Sequence, residues 1–200
     1  MSEQDNHNKL NLFDEFFSIK HLFNINIVQP SPIEMPSFNE FIDNMPLPFK
    51  LATDVITLDQ AALRPLQALS GVAGQLVEYL NHQTQKIDLL VSYILSQQDE
   101  EIHRHQGIAF GGSGVIFKHS KQRKVGEHFA LKIFLLEESC AIYCYVEVID
   151  VVENTHEYEH KAIFHHIRDE DREILVRSSL HQQSKQLQLL AQQRKQKNNV

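Results

Sequence analysis

The chain has 200 residues, of which 42% are hydrophobic, and a formal net charge of −7 at pH 7. This length and composition can bury a real core in one or two domains, and the acidic balance argues against nucleic acid as the main partner. Its two cysteines, Cys140 and Cys144, are too few and too close for a disulfide framework, which indicates a reducing compartment. Because the N-terminus lacks a signal-peptide pattern and no apolar run reaches transmembrane length, the sequence predicts a cytoplasmic protein.

Residues 1–56 hold seven of the twelve phenylalanines and five of the six prolines. The prolines argue against any long helix after them, and so many aromatic side chains are unusual in a solvated tail. We expect a segment with little regular structure that docks its phenylalanines on the body of the protein. A partner-binding arm is the alternative, and the sequence leaves open whether the segment packs on its own chain or swaps onto a neighbour.

Residues 57–103 are predicted to form a long helix. Thr57 and Gln60 fit a capping box, although Pro65 favours a later start of regular helix, near Arg64. Nine positions spaced four and three residues apart then form a heptad seam: Leu69, Ala73, Leu76, Leu80, Gln83, Ile87, Leu90, Ile94 and Gln97. We expect this seam to drive self-association into a dimer or a tetramer. An ordinary amphipathic helix packed on its own domain is the alternative.

Four of the seven glycines lie between Gly107 and Phe117. A glycine-rich phosphate loop normally leads into a helix, whereas a short β-branched and aromatic stretch follows these glycines. The glycines therefore indicate a corner between two strands and not a nucleotide-hydrolysing loop.

Residues 104–167 as a whole are predicted to form a small antiparallel β-barrel or sandwich. Apolar side chains alternate along 129–135, 142–148 and 158–164, which indicates three further strands joined by polar turns. A basic stretch, 118–124, lies between two of the predicted strands and is most simply a solvated hairpin. Residues 168–200 then form a long C-terminal helix with acidic residues in its first turn and a frayed basic end.

The glycine-rich corner, the antiparallel strands and the run Phe164-His-His-Ile-Arg-Asp-Glu-Asp-Arg-Glu-Ile-Leu175 that opens the last helix resemble the PilZ-domain family. The resemblance covers about residues 104–193, and the helix before the barrel is similar to PilZ variants that assemble through heptad-bearing helices, a tetrameric type among them. It implies an α+β fold, with a small antiparallel β-barrel between the long heptad helix and the C-terminal helix. It also implies a signalling or adaptor role linked to motility, attachment or envelope processes.

PilZ domains that bind the bacterial second messenger cyclic di-GMP carry Arg-x-x-x-Arg before the barrel and Asp/Asn-x-Ser-x-x-Gly at the first strand corner. In this chain Arg104 is the one arginine of residues 98–105, beside three acidic residues. The second motif aligns with Ala109 and Gly111 in place of the Asp/Asn and the Ser, and only Gly114 matches. The resemblance therefore implies a degenerate site with little or no cyclic di-GMP binding.

A true cyclic di-GMP receptor is the alternative. It would combine Arg104 with basic residues brought close by a neighbouring chain in the oligomer. The candidates for that second contribution are Arg168, Arg172 and Arg177.

Twelve histidines raise the possibility of a metal site, with candidate pairs at His103/His105, His156/His160 and His165/His166. No pair is completed to a four-ligand set at a recognisable spacing, so we expect no metal. Neither cysteine nor Ser113 lies in a nucleophile motif, and a metal- or phosphate-dependent enzyme has little support in the sequence. The prediction is a non-enzymatic homo-oligomer without a cofactor, which binds a protein partner but no nucleic acid and does not insert into a membrane.

Overall fold

The computed structural model describes residues 7–11, 13, 18–28, 34–63, 72–135, 140–154 and 157–198, with the backbone alone at 56–63, 72–73 and 195–198. Six strands form a closed antiparallel barrel: β1 (Ser18–Ile27), β2 (Arg104–Gly111), β3 (Gly114–His119), β4 (His128–Leu135), β5 (Cys140–Glu153) and β6 (Tyr158–His166). Around the barrel the order is β1, β2, β3, β6, β5, β4, and β4 pairs with β1 to close it. The stretches predicted as strands are β4, β5 and β6, and the glycine corner joins β2 to β3. The prediction of a small antiparallel barrel is therefore confirmed.

Helices precede and follow the five C-terminal strands, as predicted for an α+β fold. Three of them lie between β1 and β2 in the chain: α1 (Phe38–Asn44), α2 (Leu47–Leu63) and α3 (Val72–Ser96). A 3-10 turn at Glu101–His103 then leads into β2, and α4 (Asp169–Asn198) follows β6. No helix in the described ranges is both long enough and apolar enough to cross a membrane.

The strand β1 shows that the expectation of little regular structure in residues 1–56 is wrong. Its side chains alternate, with Ile19, Phe23 and Ile25 buried in the barrel interior. β1 pairs with β2 on one side and with β4 on the other, so without it both of those strands would present unpaired edges. The barrel therefore begins in this segment and not at residue 104.

The helix boundaries before the barrel also differ from the prediction. α2 already begins at Leu47, so Thr57 and Gln60 lie inside a helix and do not cap one. Pro48 does not prevent α2, because it lies in the first turn, where a backbone N–H needs no helical partner. The predicted helix of residues 57–103 is divided between α2 and α3, and residues 64–71 between them lie outside the described residues.

Two hydrophobic clusters hold these elements together. The first fills the barrel and contains residues from every strand, including Phe110, Phe117 and Phe129. The second lies on the outer face of β4 and β5, where the helices cover it, and consists of Phe41, Met45, Phe49, Ala52, Leu95, Ala130, Phe134, Ala141 and Tyr143. Helices α1 to α3 are thus fixed to one side of the barrel, which leaves much of α3 beyond it.

Candidate functional site

Arg104, the arginine nearest to the first ligand motif, begins β2 and is held by an acidic neighbour. Its Nε donates to both carboxylate oxygens of Asp99, at 3.0 Å each. The Asp99 side chain is only 4% exposed and also accepts hydrogen bonds from Asn24 Nδ2 at 2.8 Å and Asn26 Nδ2 at 2.9 Å. The hydrogen bond to Asp99 raises the pKa of Arg104 above its already high usual value. The guanidinium charge is therefore balanced within the chain.

The strand corner that would carry the second ligand motif is covered on one side by the N-terminal segment. Ser113 is buried, and its Oγ donates to the backbone oxygen of Phe13 at 3.4 Å. A Cβ at Gly114 would collide with the carbonyl oxygen of Ala162 and lie 2.8 Å from the Phe13 ring. Ala109 and Gly111 are buried as well, so the aligned motif positions do not face an open ligand site.

Helix α4 covers the same corner from the other side. The Arg172 guanidinium donates to the backbone oxygen of Gly112 and lies over the Phe164 ring, 5.9 Å from its centroid. A Cβ at Gly112 would lie 2.8 Å from the side chain of Val176. The N-terminal segment and helix α4 therefore both pack against this corner.

Arg168 is engaged inside the fold as well. Its Nε donates to Asp171 Oδ2 at 2.8 Å, and its Nη2 donates to the Phe49 backbone oxygen at 3.1 Å. Asp171 is buried and also accepts from Thr53 Oγ1 at 2.6 Å. Burial raises the pKa of Asp171, and the bonds from Arg168 and Thr53 oppose that rise. Arg177, half-exposed near Glu173, is the most accessible of the three arginines considered for a composite site.

An open groove of about 360 Å³ lies at the start of β2 and the end of β3 and is lined by Asn24, Arg104, His105, Gln106, Lys118, His119, Ser120 and Glu157. The rings of His105 and His119 are 4.3 Å apart. Burial, followed by the neighbouring charges, lowers the pKa of His105 to about 4, and burial also lowers that of His119. Both imidazoles are therefore neutral at pH 7. The charge on Lys118 faces Glu157 at 3.8 Å, so this groove is less basic than its sequence suggests.

The histidine pairs chosen from the sequence lie in different surroundings. His103 lies in the 3-10 turn and His105 in β2, so the two do not share one extended stretch. His156 lies outside the described residues, and Nε2 of His166 is 2.8 Å from the Pro36 carbonyl oxygen. His165 instead meets His128 and Glu147, two residues that the sequence analysis did not connect with it.

Helix α3 exposes large apolar side chains along most of its described length. Between 40% and 72% of each of these side chains is exposed: Leu76, Tyr79, Ile87, Leu89, Leu90, Tyr93 and Ile94. Four predicted seam positions are among them, Leu80 and Gln83 are half-buried, and Gln97 is exposed. The Ala73 side chain and all of Leu69 lie outside what is described. Leu95, which is not a seam position, is fully buried and fixes the end of α3 to the barrel.

No family model matches the sequence, and no curated protein matches it. By structure, the chain is similar to a tetrameric PilZ domain from Xanthomonas campestris that is self-assembled via an unusual helical bundle. The two are 11% identical with a TM-score of 0.55, over 89% of this chain and 96% of that one. The chain is also similar to the inhibitor of motility MotI/DgrA of Bacillus subtilis, with 17% identity and a TM-score of 0.39 over 41% of this chain. It spans 42% of that protein's length.

The barrel, its closing strand and the long helices around it thus define a PilZ-like fold, which the first of these two similarities supports. At 11% identity the similarity identifies the fold alone.

Proposed function

We propose that this chain is a non-enzymatic signalling or adaptor protein that self-assembles through its long helices and binds a protein partner. The observation that carries the proposal is the set of seven exposed apolar side chains on α3, four of which are predicted heptad positions. Soluble monomers rarely expose contiguous apolar patches of this kind, and such patches mark interaction surfaces. The Xanthomonas protein of similar fold self-assembles through a helical bundle, which supports the same use of α3 here.

The C-terminal helix offers a second apolar surface for the assembly. Leu180, Leu187, Leu189 and Leu190 of α4 are each about half exposed or more. Because each chain has two helices with exposed leucines, a dimer could form a bundle of four helices and a tetramer a bundle of eight helices. We therefore propose a dimer or a tetramer in which α3 supplies the main contact, while the barrel surface and the N-terminal segment contact the protein partner.

The same proposal includes little or no binding of cyclic di-GMP. Arg104 is paired with a buried carboxylate, and the glycine corner is covered by Phe13 and Arg172. Charge-assisted hydrogen bonds to phosphate contribute about 1.5–3 kcal/mol each, so losing several of them lowers affinity by orders of magnitude. The likeness to PilZ domains supports a signalling role linked to motility, attachment or envelope processes in which the messenger is not this chain's ligand.

The surroundings of the two cysteines and of Ser113 support a role without catalysis. Cys140 and Cys144 are buried in the barrel interior, and burial raises the pKa of Cys144 well above its usual value. A protonated, enclosed thiol is a poor nucleophile. The Ser113 hydroxyl donates to Phe13 and has no basic side chain as its hydrogen-bond partner. The low number and close spacing of the cysteines also suit the reducing cytoplasm, which we propose as the compartment.

Calorimetric titration of cyclic di-GMP into the purified chain, with its mass in solution measured in parallel, tests both parts of the proposal. We expect an oligomeric mass and no heat at high micromolar ligand. Submicromolar binding would contradict the proposal and favour the alternative, a receptor with a site built across the oligomer. The groove beside Arg104 and the accessible Arg177 are the observations that favour this alternative. In that case Arg104→Ala and Arg177→Ala would each weaken binding.

A further inference from the structure

We propose that His128, Glu147 and His165 form a binding site for one divalent transition-metal ion, for which zinc is the best fit. Each residue offers one ligand atom, and the three atoms all lie within 4.8 Å of one another. Nε2 of His128 is already 3.4 Å from Oε2 of Glu147. This matches the spacing of about 3.3 Å between two ligands on a tetrahedral ion with bonds of about 2.05 Å. The set would be complete if all three separations closed from within 4.8 Å to about this spacing.

The barrel brings these three residues together from three strands. His128 of β4 is directly opposite Glu147 of β5. Pairing of β5 with β6 shifts between Tyr145 and Val146, which leaves His165 without a partner in the register. A bulge of this kind re-aims a side chain, and here the His165 ring lies 5.2 Å from that of His128, nearly perpendicular to it. The ligand set therefore rests on regular strands and a defined bulge, and not on a mobile loop.

The chemistry of the three side chains suits zinc. Two imidazoles and one carboxylate form a ligand set found in catalytic zinc sites, and it leaves a fourth position for water or another group. His165 is exposed, so an ion has access from solvent. The Glu147 side chain is only 3% exposed, and a buried carboxylate requires a positive partner.

In the structure that positive partner is Lys9. Its Nζ donates to both oxygens of Glu147, at 2.8 and 3.0 Å. A metal ion and the Lys9 ammonium therefore compete for the same carboxylate. Lys9 lies in the helical stretch at residues 7–11, just before Phe13, which covers the glycine corner. An ion that replaces Lys9 would remove one of the contacts that hold this N-terminal segment on the barrel.

Titration of zinc into the metal-free full chain tests the site. Binding is measured by calorimetry and by equilibrium dialysis. We expect one ion per chain, with affinity reduced at least about 100-fold in His128→Gln and in His165→Gln, because loss of a ligand should cost no less than loss of a supporting contact. His82→Gln, which changes an exposed histidine of α3, is the matched control and should bind like the wild type. Lys9→Met should bind more tightly, because it removes the competing ammonium.

Two results would overturn the site. One is the absence of binding at high micromolar zinc, and the other is binding that neither His128→Gln nor His165→Gln weakens. If circular dichroism shows that either variant does not fold, the imidazole NMR resonances of the wild-type chain test the metal site without a substitution. Those of His128 and His165 should shift as zinc is added, and unchanged resonances would exclude the site.

Discussion

Arg104 and Asp99 form an ion pair in which one arginine nitrogen donates to both carboxylate oxygens, at 3.0 Å each. The acidic neighbours of Arg104 oppose phosphate binding by its guanidinium group in two ways. They add negative charge nearby, and one of them holds the guanidinium directly. Because Asp99 also receives the amides of Asn24 and Asn26, this carboxylate joins β1, the turn before β2 and β2 itself.

Asp99→Asn should therefore destabilise the fold by about 1–3 kcal/mol, the usual cost of leaving buried donors without their acceptor. Asp43→Asn, at an exposed position of α1, is the control and should change stability by less than about 0.5 kcal/mol. Urea unfolding of the two variants and the wild type measures both effects. Equal stability of Asp99→Asn and the wild type would show that this network contributes little.

Replacing Leu80, Ile87 and Leu90 with glutamine should reduce the proposed oligomer to a monomer, because Ile87 and Leu90 are exposed seam positions and Leu80 is a half-buried one. The control variant replaces three exposed apolar residues that lie outside the seam: Leu22→Gln, Ile102→Gln and Val152→Gln. Light scattering coupled to size exclusion gives the mass of each. An oligomer that survives the seam substitutions, or is lost in the control as well, would contradict the role assigned to α3.

Stability should fall as the pH drops from about 6.5 to 4, because of the histidine cluster beside the groove. Burial, then His119 and Arg123, lowers the pKa of His160 from 6.5 to about 4, and that of His105 is lowered to about 4. The unfolded chain therefore takes up protons first as the pH falls, and stability present above pH 6.5 is lost on the way to pH 4. Lys121 and Glu127 also act on this cluster, the latter in the opposite direction.

His160 is fully buried but adjoins rings that border water, so we expect its share of the loss to be about 2 kcal/mol, less than an unscreened shift would give. His160→Gln retains an acceptor for the Arg123 backbone N–H and should flatten the dependence. His82→Gln should keep the wild-type slope. Urea unfolding between about pH 7 and pH 5 provides the measurement, and identical slopes for all three proteins would refute the assignment.

Gly114→Ala should destabilise the protein by more than about 2 kcal/mol, since a Cβ there collides with the Ala162 backbone on the neighbouring strand. Gly74→Ala, in the first turn of α3, should instead raise stability by up to about 1 kcal/mol, because alanine favours a helix over glycine. Thermal unfolding of the two variants should move in opposite directions. A Gly114→Ala variant as stable as the wild type would mean that β3 and β6 separate at this corner without cost.

The strands that the sequence predicts correctly have clear alternation and no competing signal. Ile19, Phe23 and Ile25 of β1 show the same alternation, but the abundance of proline and phenylalanine around them suggested an irregular segment. Capping patterns are equally ambiguous. Ser37 and Glu40 form a real capping box at the start of α1, whereas the similar pair Thr57 and Gln60 lies within a helix.

The candidate metal site could not be predicted from one sequence, because its geometry depends on pairing between strands. His128 and Glu147 are neighbours only through the register of β4 and β5. His165 joins them only through a bulge in β6. In contrast, the acidic surroundings of Arg104 are visible in the sequence, since Asp99, Glu100 and Glu101 lie within five positions of it in the chain.

The position of β1 in the chain determines when the barrel can close. This strand leaves the ribosome first, yet both of its neighbours, β2 and β4, lie beyond residues 28–103. Contacts between such distant segments require a large loss of chain entropy before they form, which makes the closing step slow. In the folded protein, the three helices of this connection pack on the outer face of β4 and β5. A fragment that starts at Arg104 would lack the closing strand and expose two sheet edges to aggregation.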